Sequence, residues 1–151
     1  MPAEFTGQHT FASDRGRLTL PAEYRDEFAE GLVITRSPVD RCLWVLTPSQ
    51  WAVIMQRMRE HLNSLKGSQR TVARYMSGNM VKLVPDKQWR VIIPERLREW
   101  AGLDGEAVIV GCITKLEIWN SERWAEMDAH FADHPEELAE SAEQLGFDIG
   151  T

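Results

Sequence analysis

The sequence predicts an α+β protein built from two tandem β repeats that share one core and carry helical extensions. Three observations predict it. RLTLPAEYR beginning at Arg17 and RVIIPERLR beginning at Arg90 both follow Arg-x3-Pro-x3-Arg, so that Arg17, Pro21 and Arg25 match Arg90, Pro94 and Arg98 at an offset of 73 residues. The same offset lays CLWVLTPSQWA (Cys42 to Ala52) on KLEIWNSERWA (Lys115 to Ala125), and two matches with one spacing mark a duplication. Each unit is about half of a 151-residue chain, a marginal size for a core of its own, which favours halves that share one.

Each repeat reads as strand, turn, strand, short helix, strand, turn, strand. Alternation in Arg17-Leu18-Thr19-Leu20 and the apolar run Val91-Ile92-Ile93 are strand signals that stop at Pro21 and Pro94. Proline suits the first position of a helix, so short helices are expected from Pro21 to about Glu30 and from Pro94 to about Ala101. Gly31 and Gly102 then fall where helix terminators belong. Strands are expected next around Leu32 to Arg36 and Ala107 to Gly111, and after a turn at Cys42 to Leu46 and Leu116 to Trp119.

Helices follow each repeat. Thr47-Pro48-Ser49-Gln50 is a capping-box start, and Trp51, Ile54, Met55, Met58, Leu62 and Leu65 keep helical spacing behind it. A second helix is expected from Ser68 to about Met76, ending near Gly78. Asn120 is placed to cap the matching helix after the second repeat. Asp133-His134-Pro135 interrupts that helix, a weaker amphipathic segment runs from Glu136 to Leu145, and the terminal GFDIGT is expected to lack order. The resulting boundaries are 5–51 for the first repeat, 52–78 for a helical connector, 79–124 for the second repeat and 125–151 for a C-terminal helix with an acidic tail.

Composition sets the class. A hydrophobic content of 43% is ordinary for a soluble globular chain, and no apolar run approaches the ~20 residues a spanning helix needs. The start MPAEFTGQHTF has no basic and then apolar secretion signal, so a cytoplasmic protein is expected. Cys42 and Cys112 have neither disulfide nor zinc-site spacing and read as small apolar core residues. The net charge of -6 is unevenly spread: residues 124–151 hold eight acids and no Lys or Arg, leaving 17 basic and 15 acidic groups in residues 1–123. The repeat-bearing body is therefore mildly basic, and local patches rather than net charge decide whether it meets nucleic acid.

The chemical interest lies in two short charged turns, Ser13-Asp14-Arg15-Gly16-Arg17 and Asp86-Lys87-Gln88-Trp89-Arg90. A carboxylate at the start of a tight turn accepts backbone N–H bonds, and an Arg at its end forms a bidentate fork. Such turns either contact phosphates and guanine edges or stay solvated with each Arg paired to a neighbouring carboxylate. His130 and His134 lie one helical turn apart, but no third metal ligand is evident and a surface helix is the simpler reading. The six tryptophans include Trp51 and Trp124 at equivalent helix starts, which suits core or subunit contacts; Trp89, inside a turn, is the candidate for base stacking. No nucleophile elbow, P-loop, dinucleotide fingerprint or HExxH occurs, so neither an enzyme nor a cofactor is expected.

A D-x-x-x-R turn, a strand and a Pro-led helix bearing a second Arg, all repeated, resemble the MraZ family, as do the phrases GRLTLPAEYR, LREWAGL and KLEIWNSERW; the likeness covers nearly the whole chain. The resemblance implies an AbrB-like swapped-hairpin fold in each half. It also implies a bacterial transcriptional regulator that binds repeated promoter sequences of the division and cell-wall gene cluster, as a ring-like homo-oligomer associated with the nucleoid. Repeat two keeps the motif as Asp86 to Arg90, with bulky Trp89 where a small residue is common. Repeat one departs from it: Ser13 stands at the Asp position and the acid follows as Asp14. On this reading Arg15, Arg17, Lys87 and Arg90 contact double-stranded DNA, while Ser13, Asp14, Gly16 and Asp86 shape the turns. Arg25 and Arg98, with Asp26 and Glu99 beside them, are second-rank candidates for carboxylate pairing or subunit contacts. The rival reading is an oligomeric scaffold protein whose basic turns form subunit salt bridges.

Overall fold

A computed structural model describes residues 4–61 and 66–146; Leu62, Leu65 and the terminal residues after Gly146 lie outside them. The chain divides after Asn120 into two compact units. The first contains strands β1 (Gln8–Ser13), β2 (Arg17–Thr19), β3 (Leu32–Arg36), β4 (Leu43–Leu46), β5 (Val81–Leu83), β6 (Arg90–Ile92), β7 (Gly105–Gly111) and β8 (Leu116–Asn120). Its helices are a 3-10 helix at Ala22–Phe28, α1 (Pro48–Glu60), α2 (Gly67–Gly78) and α3 (Glu95–Ala101). Helices and antiparallel sheets are thus mixed, as the α+β reading expects.

The duplication becomes an exchange. Strands β1 and β5 are equivalent at the offset of 73, yet β1 pairs with β7 of the second repeat and β5 pairs with β3 of the first. A six-stranded sheet in the order β1-β7-β8-β4-β3-β5 results, and β2 and β6 form a separate two-stranded ribbon. In that ribbon Leu18 faces Val91, its own equivalent, flanked by Arg17 opposite Ile92 and Thr19 opposite Arg90. An approximate two-fold axis therefore passes through the Leu18–Val91 pair. The same symmetry recurs where β4 meets β8, with Leu43 opposite Ile118 and Val45 opposite Leu116.

Both halves fill one core. Leu18, Leu20, Phe28 and Ile34 from the first repeat and Val91, Ile93, Leu97 and Ile109 from the second are buried together. Phe5 stacks on Phe28 with ring centroids 5.3 Å apart, and the Tyr24 hydroxyl donates to Thr6 O at 2.6 Å. A second cluster of Val33, Leu46, Trp51 and Met76 seats α1 and α2 on the sheet. The capping box forms as expected: Gln50 N donates to Thr47 Oγ1 and Thr47 N to Gln50 Oε1, each at 3.1 Å.

The structure refines one local expectation and corrects another. The segment after Pro21 is a 3-10 helix because Tyr24 N closes on Pro21 O, three residues back, whereas Arg98 N reaches Pro94 O, four back, and makes α3. Cys112 is exposed rather than in the core, since it lies in the turn joining β7 to β8; Cys42 is buried. Asn120, the residue before Ser121 where the next helix begins, ends β8, and its side-chain amide donates to Gly102 O at 2.7 Å, joining that strand to the left-handed end of α3.

The second unit holds α4 (Ser121–Asp133) and α5 (Pro135–Gln144), separated at His134 as the sequence suggests. His130 Nε2 meets Glu137 Oε2 at 2.7 Å, and the rings of His130 and His134 stack 4.4 Å apart. The two histidines thus tie one helix to the next, and no group of three or more metal-ligating side chains occurs among the described residues. Neither helix has a fully buried residue. Because the main core lies within the first unit, deleting residues 136–151 is expected to leave its thermal transition within a few degrees of native, measured by circular dichroism. Loss of the transition on deletion would show that the tail belongs to the core.

Candidate nucleic-acid interface

Pairing of β2 with β6 brings the two basic turns close together. On an antiparallel ribbon, alternate side chains face one side. Leu18 and Val91 point into the core, so Arg17, Thr19, Arg90 and Ile92 share the solvent face. Arg17 and Arg90, 73 residues apart in sequence, become diagonal neighbours on the ribbon, a relation that spans on the order of 7–8 Å. Both line a shallow cleft of about 330 Å³ together with Leu83, Val84, Asp86 and Ile92.

The turns that lead into the ribbon differ in construction. In the second, Asp86 Oδ1 accepts from Gln88 N (2.8 Å) and Arg90 N (2.9 Å), while Asp86 Oδ2 accepts from Arg90 Nε at 2.9 Å. Backbone bonds Trp89 N to Asp86 O and Asp86 N to Arg90 O, both 3.0 Å, complete a three-residue hairpin. Its last loop residue, Trp89, has φ +62, a left-handed position that glycine commonly fills. The partly buried Trp89 ring packs against the main core, which anchors the residue in this conformation.

In the first turn, Arg17 N donates to Asp14 O at 2.9 Å around Arg15 (φ +55) and Gly16 (φ +80). Two consecutive positive φ values define the two-residue type I′ hairpin. The displaced acid is thereby explained: Ser13 remains in β1 opposite Gly105, and Asp14 opens a turn one residue shorter. Arg15 and Arg17 are exposed and make no ion pair among the described residues, nor does Lys87. One arginine is pre-positioned by a carboxylate and the other is free.

Arg25 and Arg98 take a role that sequence reasoning did not find. Arg25 Nε donates to Leu20 O (2.9 Å) and Arg98 Nε to Ile93 O (2.8 Å). These bonds are equivalent in the two repeats, so Arg-x3-Pro-x3-Arg is a clamp: its second Arg folds back over the proline and binds the carbonyl of the residue just before it. Ile93 N donates to Gly16 O and Leu20 N to Trp89 O, each 2.8 Å, so each repeat's strand end is hydrogen-bonded to the other's turn. Gly16 lies directly under Arg98. A Cβ there would stand 2.5 Å from Arg98 Cδ and 2.7 Å from Ile93 O. The available signal was the mismatch of Gly16 with Trp89 at equivalent positions.

The Arg90 backbone N–H is the main cause that holds the Asp86 carboxyl below its ordinary value of 3.8, with smaller help from the Arg90 guanidinium and Gln88 N–H. A depressed folded-state value means that this stabilisation is present above 3.8 and is lost as pH falls through the folded value. Carbon-detected NMR should show Asp86 titrating below 3.8, and Arg90→Ala should restore only part of the shift because the backbone donor remains. A midpoint at or above 3.8 would contradict the hydrogen-bonded turn.

These features define a class: a tandem-repeat protein with exchanged strands, whose most distinctive accessible chemistry is a cationic two-stranded ribbon flanked by basic turns. The family model of the MraZ protein matches residues 5–75 and again residues 76–146, and the chain belongs to this family. Among similar relatives is the transcriptional regulator MraZ of Parafrankia sp. (strain EAN1pec), 40% identical over 142 residues, covering 93% of this chain and 96% of that protein. The protein of the same name from Moorella thermoacetica is 37% identical over 146 residues, covering 96% and 99%. That from Micrococcus luteus is 38% identical over 139 residues, covering 89% and 96%. These relatives are named as regulators, not enzymes. No helix among the described residues is long and apolar enough to cross a membrane.

Proposed function

We propose that this chain is a transcriptional regulator that binds double-stranded DNA with the ribbon and its turns, without a cofactor. The observation that carries the reading is the joining of Arg17 and Arg90 on one exposed face by pairing between repeats. A two-stranded ribbon fits the major groove, where an Arg fork reads O6 and N7 of guanine. Arg15 and Lys87 at the turn tips take backbone phosphates, which set orientation. The strand exchange supports an AbrB-like swapped-hairpin arrangement, with 5–51 and 79–124 as the exchanging repeats. Family membership supports repeated promoter sequences of the division and cell-wall gene cluster as the target, in the cytoplasm at the nucleoid. DNase footprinting of the region upstream of the chain's own gene tests this: protected repeats that survive excess random DNA are expected, and an unprotected region would overturn it.

The protein acts as a ring-like homo-oligomer on this reading, because one protomer offers only two short basic turns. Repetition of a weak site around a ring raises affinity through effective concentration. Light scattering should find a closed multimer. A stable monomer that still binds its operator tightly would sink the oligomeric part of the proposal.

A further inference from the structure

The ribbon's solvent face is symmetric in backbone but not in chemistry. The two-fold that exchanges Arg17 with Arg90 also exchanges Thr19 with Ile92, and pairing sets Ile92 directly opposite Arg17. Ile92 is 61% exposed although its strand neighbour Val91 is buried, and Val84 beside the same cleft is 73% exposed. The residues matching Val84 and Ile92 in the first repeat are Phe11 and Thr19. Phe11 packs against the main core, and Thr19 carries a hydroxyl. Exposed aliphatic surface therefore flanks Arg17 from β6, whereas a threonine stands opposite Arg90.

An aliphatic side chain on a face otherwise set with arginines needs an apolar feature in its partner. The edges of base pairs in the major groove offer one, the 5-methyl group of thymine. Directly opposite residues of a ribbon have Cβ atoms about 4.5–5.5 Å apart, a spacing that lets the pair reach neighbouring base pairs. Resting on the DNA-binding reading above, we infer that Ile92, backed by Val84, is a specificity-determining residue that receives a thymine methyl next to the base edge contacted by Arg17. Thr19 opposite Arg90 presents a smaller methyl and a hydroxyl, so the two halves of the ribbon read unequal sequences.

Deoxyuridine substitution removes the methyl and leaves the Watson–Crick pair unchanged. The probe is a fluorescent duplex spanning the footprint upstream of the gene, with each thymine replaced singly by deoxyuridine, titrated with full-length protein by anisotropy. The native protein should lose roughly fourfold in affinity at one thymine, as burial of one methyl implies. Ile92→Ala should bind the thymine duplex about as weakly as native protein binds the substituted one, and should ignore the substitution. Thr19→Ala should keep the native response at that thymine. Native binding indifferent to every substitution, or a loss undiminished in Ile92→Ala, overturns the inference while leaving DNA binding standing. Native protein with no preference for the footprint duplex over random DNA overturns the DNA-binding reading, and this inference with it.

Discussion

Gly16→Ala is expected to destabilise the protein by about 3 kcal/mol, because it combines a strained backbone with a collision that cannot relax cheaply. The position has φ +80, and an added Cβ would press on the Arg98 side chain and on Ile93 O, a backbone atom already engaged by the clamp. The Ile93 N to Gly16 O bond joins the two repeats at this point, beneath the clamp, so the damage reaches the ribbon and operator binding falls with stability. Gly105→Ala is the control. It has φ +100 but open space around the new methyl, so it should cost only strain, about 1 kcal/mol. Chemical denaturation separates the cases, and equal effects from both substitutions would remove the Gly16–Arg98 contact from the account.

Arg90→Ala is expected to cut the preference for operator over random DNA by roughly 10- to 100-fold, the value of one bidentate base contact. Asp86 holds Arg90 through Nε, which restricts the side chain before DNA arrives and leaves its Nη groups for another acceptor. Arg17 has no such support and must lose more rotamer freedom on binding. Arg17→Ala should therefore cost less of the operator preference than Arg90→Ala. Competition binding with both duplexes reads the difference. A larger loss of preference in Arg17→Ala than in Arg90→Ala would reverse the assignment of roles to the two turns.

Elements were legible in the sequence wherever their signal is local. Thr47 and Gln50 announce a capping box that forms, and Leu32–Arg36 begins and ends as its apolar run suggests. Pairing was not legible, because side-chain period says which face of a strand is buried but not which strand lies beside it. The duplication at 73 residues identifies Arg17 and Arg90 as equivalents, yet only the pairing of β2 with β6 explains why they become neighbours. The turns show the same limit. Moving one acid from position 13 to 14 looks like a damaged motif, but the backbone turns it into a shorter hairpin with positive φ at Arg15 and Gly16. For Arg25 and Arg98 the adjoining Asp26 and Glu99 suggest an ion pair, whereas the chain reversal at each proline brings the carbonyl just before it within reach of the Nε donor.

The salt dependence of operator affinity, measured by anisotropy for the native protein and for Arg17→Ala/Arg90→Ala, tests most directly whether the ribbon is the DNA-binding face. Each phosphate contact contributes a slope of about -0.9 to log affinity against log salt, whereas a base contact contributes mainly preference. The native protein should show a steep slope and a strong operator preference. The double variant, still folded and with unchanged assembly state by light scattering, should lose most of that preference and keep most of the slope, which the phosphate contacts of Arg15 and Lys87 supply. An unchanged preference in the folded double variant would contradict the account and leave the Arg17–Arg90 face of the ribbon outside the DNA interface.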